Sequence, residues 1–188
     1  MRSHSLLTVS QAAKCLQDGE IIAYPTEAVY GLGCDPRNET TVRRLLALKD
    51  RPANLGLILI ADRLDRFIPF TKPVSSEQMS RAMSTWPGPV TWLFPRAPDV
   101  PDWLAGEHET IALRLTEHPV CRALCAEFGG AIVSTSANAG GAEPARNART
   151  VEAYFASGVA GIVIGELGSG DRPSEIRDLE SGRIIREG

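Results

Sequence analysis

The stretch T-I-A-L-R-L-T-E-H-P-V-C-R-A-L-C-A-E-F-G-G-A-I-V-S-T-S-A-N, residues 110–138, decides the fold. Residues 110–115 alternate with the period of two that a strand requires, and residues 118–128 carry apolar side chains at helical spacing. Residues 131–134 then form a second apolar strand, so strand, helix and strand follow one another in one short span. The alternation continues upstream. Thr8-Val9-Ser10-Gln11 has the form of a capping box, opening a helix that stops at Gly19. Residues 21–24 read as a buried strand halted by Pro25, and Val42, Leu45, Leu46 and Leu48 put a helix over 39–49. A strand at 57–61, an amphipathic helix at 62–68 and a helix at 75–85 follow; the W-P-G-P run at 86–89 stops that last helix before a strand at 90–94. Downstream come a loop of small residues at 135–150, a helix at 151–156, a strand at 161–164 and two strand-like stretches near Ile176 and Ile184. The sum is an α/β chain of about seven strands, without internal repeats or a linker. Interleaved helices favour a sheet covered on both faces, whereas residues 86–115 and the tail read as antiparallel, so a mixed sheet is expected.

Composition narrows the function. The 188 residues suit one domain, and 43% hydrophobic with 23% charged residues excludes general disorder. The longest aliphatic run, residues 57–61, is far too short to span a membrane, and the N-terminus has no signal-peptide core, so a soluble, cytoplasmic protein is expected. The net charge of −3 does not mark a dedicated nucleic-acid binder. The 20 basic residues divide into 17 Arg and 3 Lys (Lys14, Lys49 and Lys72), a bias toward planar, permanently charged donors suited to carboxylate and phosphate. The 4 cysteines (Cys15, Cys34, Cys121, Cys125) suggest apolar packing rather than disulfides or zinc. His4, His108 and His118 are scattered and read as surface or capping residues. P-loop, dinucleotide-binding and nucleophile-elbow signatures are absent.

Four polar loops remain. In Tyr24 to Gly33, Thr26 directly follows a strand, and Gly31 and Gly33 allow backbone to approach a ligand; an ordinary capped turn fits equally. In Lys49-Asp50-Arg51-Pro52, two cations two residues apart in extended chain project to the same side, which suits an anion between them; on this pair alone a solvated helix end is the plainer reading. Ser134-Thr135-Ser136-Ala137-Asn138 offers neutral donors just past a strand's carboxyl end, where ligands bind in α/β sheets. Arg114, among apolar neighbours on a strand, needs either an internal carboxylate or a bound ligand.

Y-P-T-E-A-V-Y-G-L-G-C-D at 24–35, K-D-R-P at 49–52, W-P-G-P-V-T at 86–91, R-L-T-E-H-P at 114–119, S-T-S-A-N at 134–138 and P-S-E-I-R-D at 173–178 occur in this order. Together they closely resemble the YrdC domain family in its short, single-domain bacterial form, over essentially all of residues 1–188. The resemblance implies a twisted mixed sheet with helices around a basic cleft. It also implies a nucleotidyltransferase activity: L-threonine, bicarbonate and ATP, with Mg²⁺, give L-threonylcarbamoyl-adenylate, pyrophosphate and water. That product feeds threonylcarbamoyladenosine formation at position 37 of tRNA, through a downstream transferase complex. By the same resemblance the catalytic residues are Lys49, Arg51, Ser136 and Asn138. Thr26, Tyr30, Arg114 and Ser174 fall on the threonine and bicarbonate side, and Thr110, Ser134, Pro144 and Arg186 near the nucleotide. No residue is expected to hold a resident metal. The chain departs from the family pattern at Gly140, where a Ser is frequent, and at Glu175, where a Thr is. A competing reading is an RNA-binding ribosome-maturation factor that grips tRNA or double-stranded RNA. The −3 charge and the lack of a Lys/Arg cluster predict weak, salt-sensitive binding of that kind.

Overall fold

The computed structural model describes residues 5–170 and 172–188; His4 lies outside them. In chain order the elements are β1 (Ser5–Leu7), α1 (Val9–Gln17), β2 (Ile22–Pro25), β3 (Tyr30–Gly33), α2 (Glu39–Leu48), β4 (Ile58–Ala61), α3 (Ser76–Met83), β5 (Val90–Pro95), α4 (Asp102–Ala105), β6 (Thr110–Leu115), α5 (Pro119–Phe128), β7 (Ile132–Ser136), α6 (Ala148–Tyr154), β8 (Gly161–Val163), β9 (Glu175–Asp178) and β10 (Ile184–Arg186). Among the described residues the strands form one mixed sheet of ten, in the order β1-β8-β2-β3-β7-β4-β6-β5-β9-β10. β4 and β6 run parallel, as do β5 and β9, while β2 and β3, and β5 and β6, are antiparallel.

The capping box forms as expected: the Thr8 side chain accepts from Gln11 N while the Gln11 side chain accepts from Thr8 N. Two differences from the sequence reading have plain causes. The strand count rises to ten because β1 is only three residues long and β3, Y-G-L-G, carries two glycines that hide its strand character. The helix expected over 62–68 is instead a 3-10 segment, Leu64–Phe70, since Pro69 has no N–H to continue an α ladder.

Strand alternation divides the core into two layers. Ile22 and Tyr24 of β2, Ile60 of β4 and Ile132 of β7 pack with Leu16 of α1 and Leu124 and Phe128 of α5. Their neighbours Ala23, Leu59 and Val133 face the other layer, with Val42 and Leu45 of α2. The sheet is therefore covered on both faces. Cys121 and Cys125 are buried in the first layer, their thiols donating to the carbonyls of Pro25 and Ile60, so they are packing residues.

β7 is the strand that makes room for a site. Its first part, Ile132 to Ser134, is in register with β4; its last part, Thr135 and Ser136, is in register only with β3. Past Ser134 the β4 side has no paired backbone, and the sheet opens into a cleft between the end of β7 and the start of β4.

Candidate active site

The cleft is built on the turn after β2. Thr26 closes that turn by donating both its N–H and its hydroxyl to Val29 O, at 3.1 and 2.7 Å. Gly31 lines the cleft, but Gly33 does not. A Cβ on Gly33 would lie 2.6 Å from Val133 O and 2.8 Å from the Tyr24 ring, so this glycine permits close packing of β3 on β7 rather than ligand approach. Of the expected residues, Thr26, Tyr30, Arg51, Arg114, Ser134, Ser136, Ser174 and Arg186 all line the cleft. Thr110 lines an adjoining pocket, which shares Arg51 and Arg186 with it.

Lys49, Asn138 and Pro144 do not line either space. For Lys49 the reason is a helix ending that the sequence reading took as extended chain. Arg51 N bonds Leu46 O at 3.0 Å and Asp50 N bonds Ala47 O at 3.1 Å, the paired bonds of a Schellman motif, and Asp50 takes the left-handed conformation at φ 50°. That turn separates the two cations. Arg51 goes into the cleft, where its Nη2 also donates to Gly56 O at 2.9 Å. Lys49, only 6% exposed, goes beneath the 136–138 loop. There its ammonium donates to Ser136 O at 2.5 Å, Asn138 O at 2.9 Å and Asn138 Oδ1 at 3.2 Å. Ser136 Oγ donates to the same Asn138 Oδ1 at 2.6 Å. Lys49, Ser136 and Asn138 thus form one network, with Lys49 holding the loop from behind. Pro144 sits in the following loop, whose next residue, Ala145, accepts from Tyr30 N and donates to Ala137 O.

Electrostatics give the cleft its character. Among the described residues its lining contains four arginines (Arg51, Arg114, Arg172 and Arg186) and one carboxylate, Glu27. Burial pushes the Arg51 guanidinium below its ordinary pKa. Arg186, exposed overall, is pushed down by partial desolvation, then by the charges of Arg114 and Arg51. Lys49 is pushed down to about 8 by burial and by the Arg51 charge. The Nε atoms of Arg51 and Arg114 are buried without a hydrogen-bond partner. Cations that crowd one another and leave donors unpaired form a site complementary to an anion. The arginines on the outer surface behave differently: Arg37, Arg43, Arg44 and Arg63 pair with Asp35, Glu39, Glu20 and Asp65.

Glu27 and Arg172 were not singled out from sequence. The demand of Arg114 for an internal carboxylate was the signal that pointed to Glu27; no comparable signal marked Arg172. His118 is buried rather than superficial: it occupies the N-cap position of α5, with Nε2 3.1 Å from Glu166 O and Nδ1 unpartnered. Among the described residues no group of three or more His, Cys, Asp or Glu side chains gathers as a metal site would require.

This architecture and cleft belong to a known group. A model of the Sua5/YciO/YrdC family, described as "Telomere recombination", matches residues 14–188, and the chain belongs to that family. It is 48% identical over 184 residues to the threonylcarbamoyl-AMP synthase of Pseudomonas putida KT2440, covering 98% of this chain and 99% of that one. It is 44% identical over 179 residues to the threonylcarbamoyl-AMP synthase of Coxiella burnetii RSA 493, covering 95% and 96%. Among solved structures, P. abyssi Sua5 complexed with L-threonine superposes with a TM-score of 0.88 at 29% identity. That match covers 95% of this chain but 53% of the Sua5 chain, so the present chain spans about half of that protein. E. coli YciO shares the fold, with a TM-score of 0.84 at 24% identity over 96% of this chain and 88% of that one.

Proposed function

We propose that the chain is a threonylcarbamoyl-AMP synthase, converting L-threonine, bicarbonate and ATP to L-threonylcarbamoyl-adenylate, pyrophosphate and water. The observation that carries this reading is the cleft's excess, among the described residues, of four arginines over one carboxylate, in a chain that matches synthases over 95% and 98% of its length. The threonine amine adds to the carbon of bicarbonate, or of CO₂ derived from it, and water is lost, leaving an N-carboxylate. An oxygen of that carboxylate then attacks the α-phosphorus of ATP, and pyrophosphate departs. Both partners in the second step are anions, so the protein's task is to neutralise and align them. Arg114 and Thr26 belong to the amino-acid end of the cleft, and Thr110 with Arg51 and Arg186 to the adjoining pocket that takes the nucleotide. Ser136 reaches the cleft where the transferred group passes, and Asn138 and Lys49 hold its loop from behind. No protein nucleophile takes part. With ATP bound as its Mg²⁺ complex, Arg51 and Arg186 would neutralise the part of the triphosphate charge that the metal leaves.

A cytoplasmic location goes with this chemistry, and no helix among the described residues is long and apolar enough to cross a membrane. The adenylate is a reactive mixed anhydride, so a downstream transferase that modifies tRNA is its natural consumer. The test is pyrophosphate release together with mass detection of the adenylate. Both are expected only when L-threonine, bicarbonate and MgATP are all present. Pyrophosphate release at full rate without threonine would leave a generic ATPase and remove the synthase reading.

A further inference from the structure

Arg114 has a supporting residue behind it that no motif assigns. Arg114 lies on β6 between Leu113 and Leu115 and is 6% exposed. A guanidinium so placed needs a counter-charge, and its cationic neighbours in the cleft, Arg51 and Arg186, make that need greater. Glu27 meets it: Oε2 lies 3.5 Å from Arg114 Nη2, close enough for an ion pair and too far for a good hydrogen bond. The carboxylate is itself held at both ends of its residue. Oε1 accepts from Thr116 Oγ1 at 2.5 Å, and Thr116 Oγ1 in turn accepts from His118 N at 3.2 Å. On the main chain, Glu27 O accepts from Gly170 N at 2.9 Å, and Thr26 O from Gly168 N at 2.9 Å. A Cβ on Gly168 or Gly170 would fall 2.6 or 2.8 Å from Glu27 O, so the 168–170 segment lies hard against this residue.

We propose that Glu27 is a positioning residue that fixes Arg114 for the carboxylate of the amino-acid substrate, an inference that rests on the synthase reading above. Glu27 fixes the guanidinium by charge from one side, and Arg114 keeps donors for a ligand, its Nε being buried without a partner. A bidentate carboxylate would instead occupy two of the five guanidinium donors. Burial pushes the Glu27 carboxyl up, but Arg114, the Thr116 hydroxyl, a backbone hydrogen bond and His118 together outweigh it, and the carboxyl ends below its ordinary pKa. It therefore remains an anion throughout the neutral range, as a fixed counter-charge must. An ionised carboxylate already held by Arg114 and Thr116 is poorly suited to act as a general base. That separates positioning from proton transfer.

The experiment measures L-threonine binding by calorimetry and the separate KM values for threonine and ATP. It compares wild type with Glu27→Gln, Glu27→Asp, Arg114→Gln and the Glu27→Gln/Arg114→Gln double variant. Glu27→Gln keeps an oxygen for Thr116 and removes the charge. It is expected to weaken threonine binding and raise the threonine KM by about 10- to 100-fold, with the ATP KM changed less than about two-fold. Glu27→Asp should recover part of the loss. With Arg114 already changed to Gln, adding Glu27→Gln should cost nothing further, because one residue acts through the other. Thr116→Val serves where Glu27→Gln does not fold: it leaves both charges, loosens the carboxylate and should raise the threonine KM in the same direction by a smaller factor. Equal threonine binding in wild type and Glu27→Gln, or multiplicative effects in the double variant, would overturn the inference while leaving the synthase reading intact. A fall in kcat with an unchanged threonine KM would overturn it in favour of proton transfer. Absence of threonine binding by the wild type would overturn the synthase reading, and this inference with it.

Discussion

Replacing Lys49 by Met removes a buried charge and keeps the length of the side chain, and its consequences can be worked from the site. The ammonium makes three hydrogen bonds, to Ser136 O, Asn138 O and Asn138 Oδ1. Bonds from a charged donor contribute roughly 1.5–3 kcal/mol each. Against them stands the desolvation of a cation with no carboxylate partner, a cost of several kcal/mol after relaxation. Its pKa, pushed down from 10.5 to about 8 by burial and by Arg51, reflects that penalty. The two contributions nearly offset each other, so Lys49→Met should change stability by no more than about 1–2 kcal/mol, a few degrees in Tm for a chain of this length. Turnover should fall about 10²-fold, because the loop that carries Ser136 into the cleft loses its anchor and a small misplacement costs that much.

The pH dependence has a definite sign. Between about 8 and 10.5 the unfolded chain carries the Lys49 proton and the folded chain has lost it. The unfolded state then binds more protons, so the stability of the ligand-free protein attributable to Lys49 rises with pH across that window. Activity, which needs the cation, falls across the same window. Thermal melts and rates of adenylate formation from pH 7 to 10.5, on wild type and Lys49→Met, measure both trends. The Met variant should lose the Lys49 contribution to each. If it retained more than a tenth of wild-type turnover, or if its melting temperature followed pH just as wild type does, Lys49 would not be the buried cation that holds the 136–138 loop.

Arg51→Ala should cut turnover by about 10²- to 10³-fold with the melting temperature nearly unchanged, since Arg51 lines the cleft; Arg51→Lys should recover only part, lacking the planar fork. Threonine should be preferred to serine by roughly 10- to 200-fold in kcat/KM, because a single methyl beside Thr26 and Tyr30 can contribute only about 1–3 kcal/mol; equal efficiency would exclude a methyl-filled recess. Asp50→Gly should keep activity and raise stability by up to about 1 kcal/mol in denaturant titration, since glycine accepts the left-handed φ of 50° without the Cβ penalty.

Much of this was legible in the chain. The alternation of Ile22, Ala23 and Tyr24 between two core layers, the capping box at Thr8 and the period of two over 110–115 are local patterns, and they hold because burial acts on every strand and helix by the same periodicity. The requirement of Arg114 for an internal carboxylate or a ligand was likewise a local argument, and the carboxylate proves to be Glu27. Strand β3 was illegible because glycines at 31 and 33 lower strand propensity, and only the tertiary structure shows why they are there: Gly33 packs close against Tyr24 and Val133, and Gly31 lines the cleft. What tertiary structure alone decided is direction. Chain order puts Lys49 and Arg51 two residues apart at a helix end. Whether they face one anion or part company depended on the backbone of Asp50, whose left-handed turn sends one cation beneath the loop and the other into the cleft. The convergence of Arg51, Arg114, Arg172 and Arg186, far apart in the chain, depended on β7 changing its pairing at Ser134. Charge carries no periodicity. A buried side chain is announced by the pattern of its own element, but a cluster of cations arises from where separate elements meet, and that is set by sheet order and register.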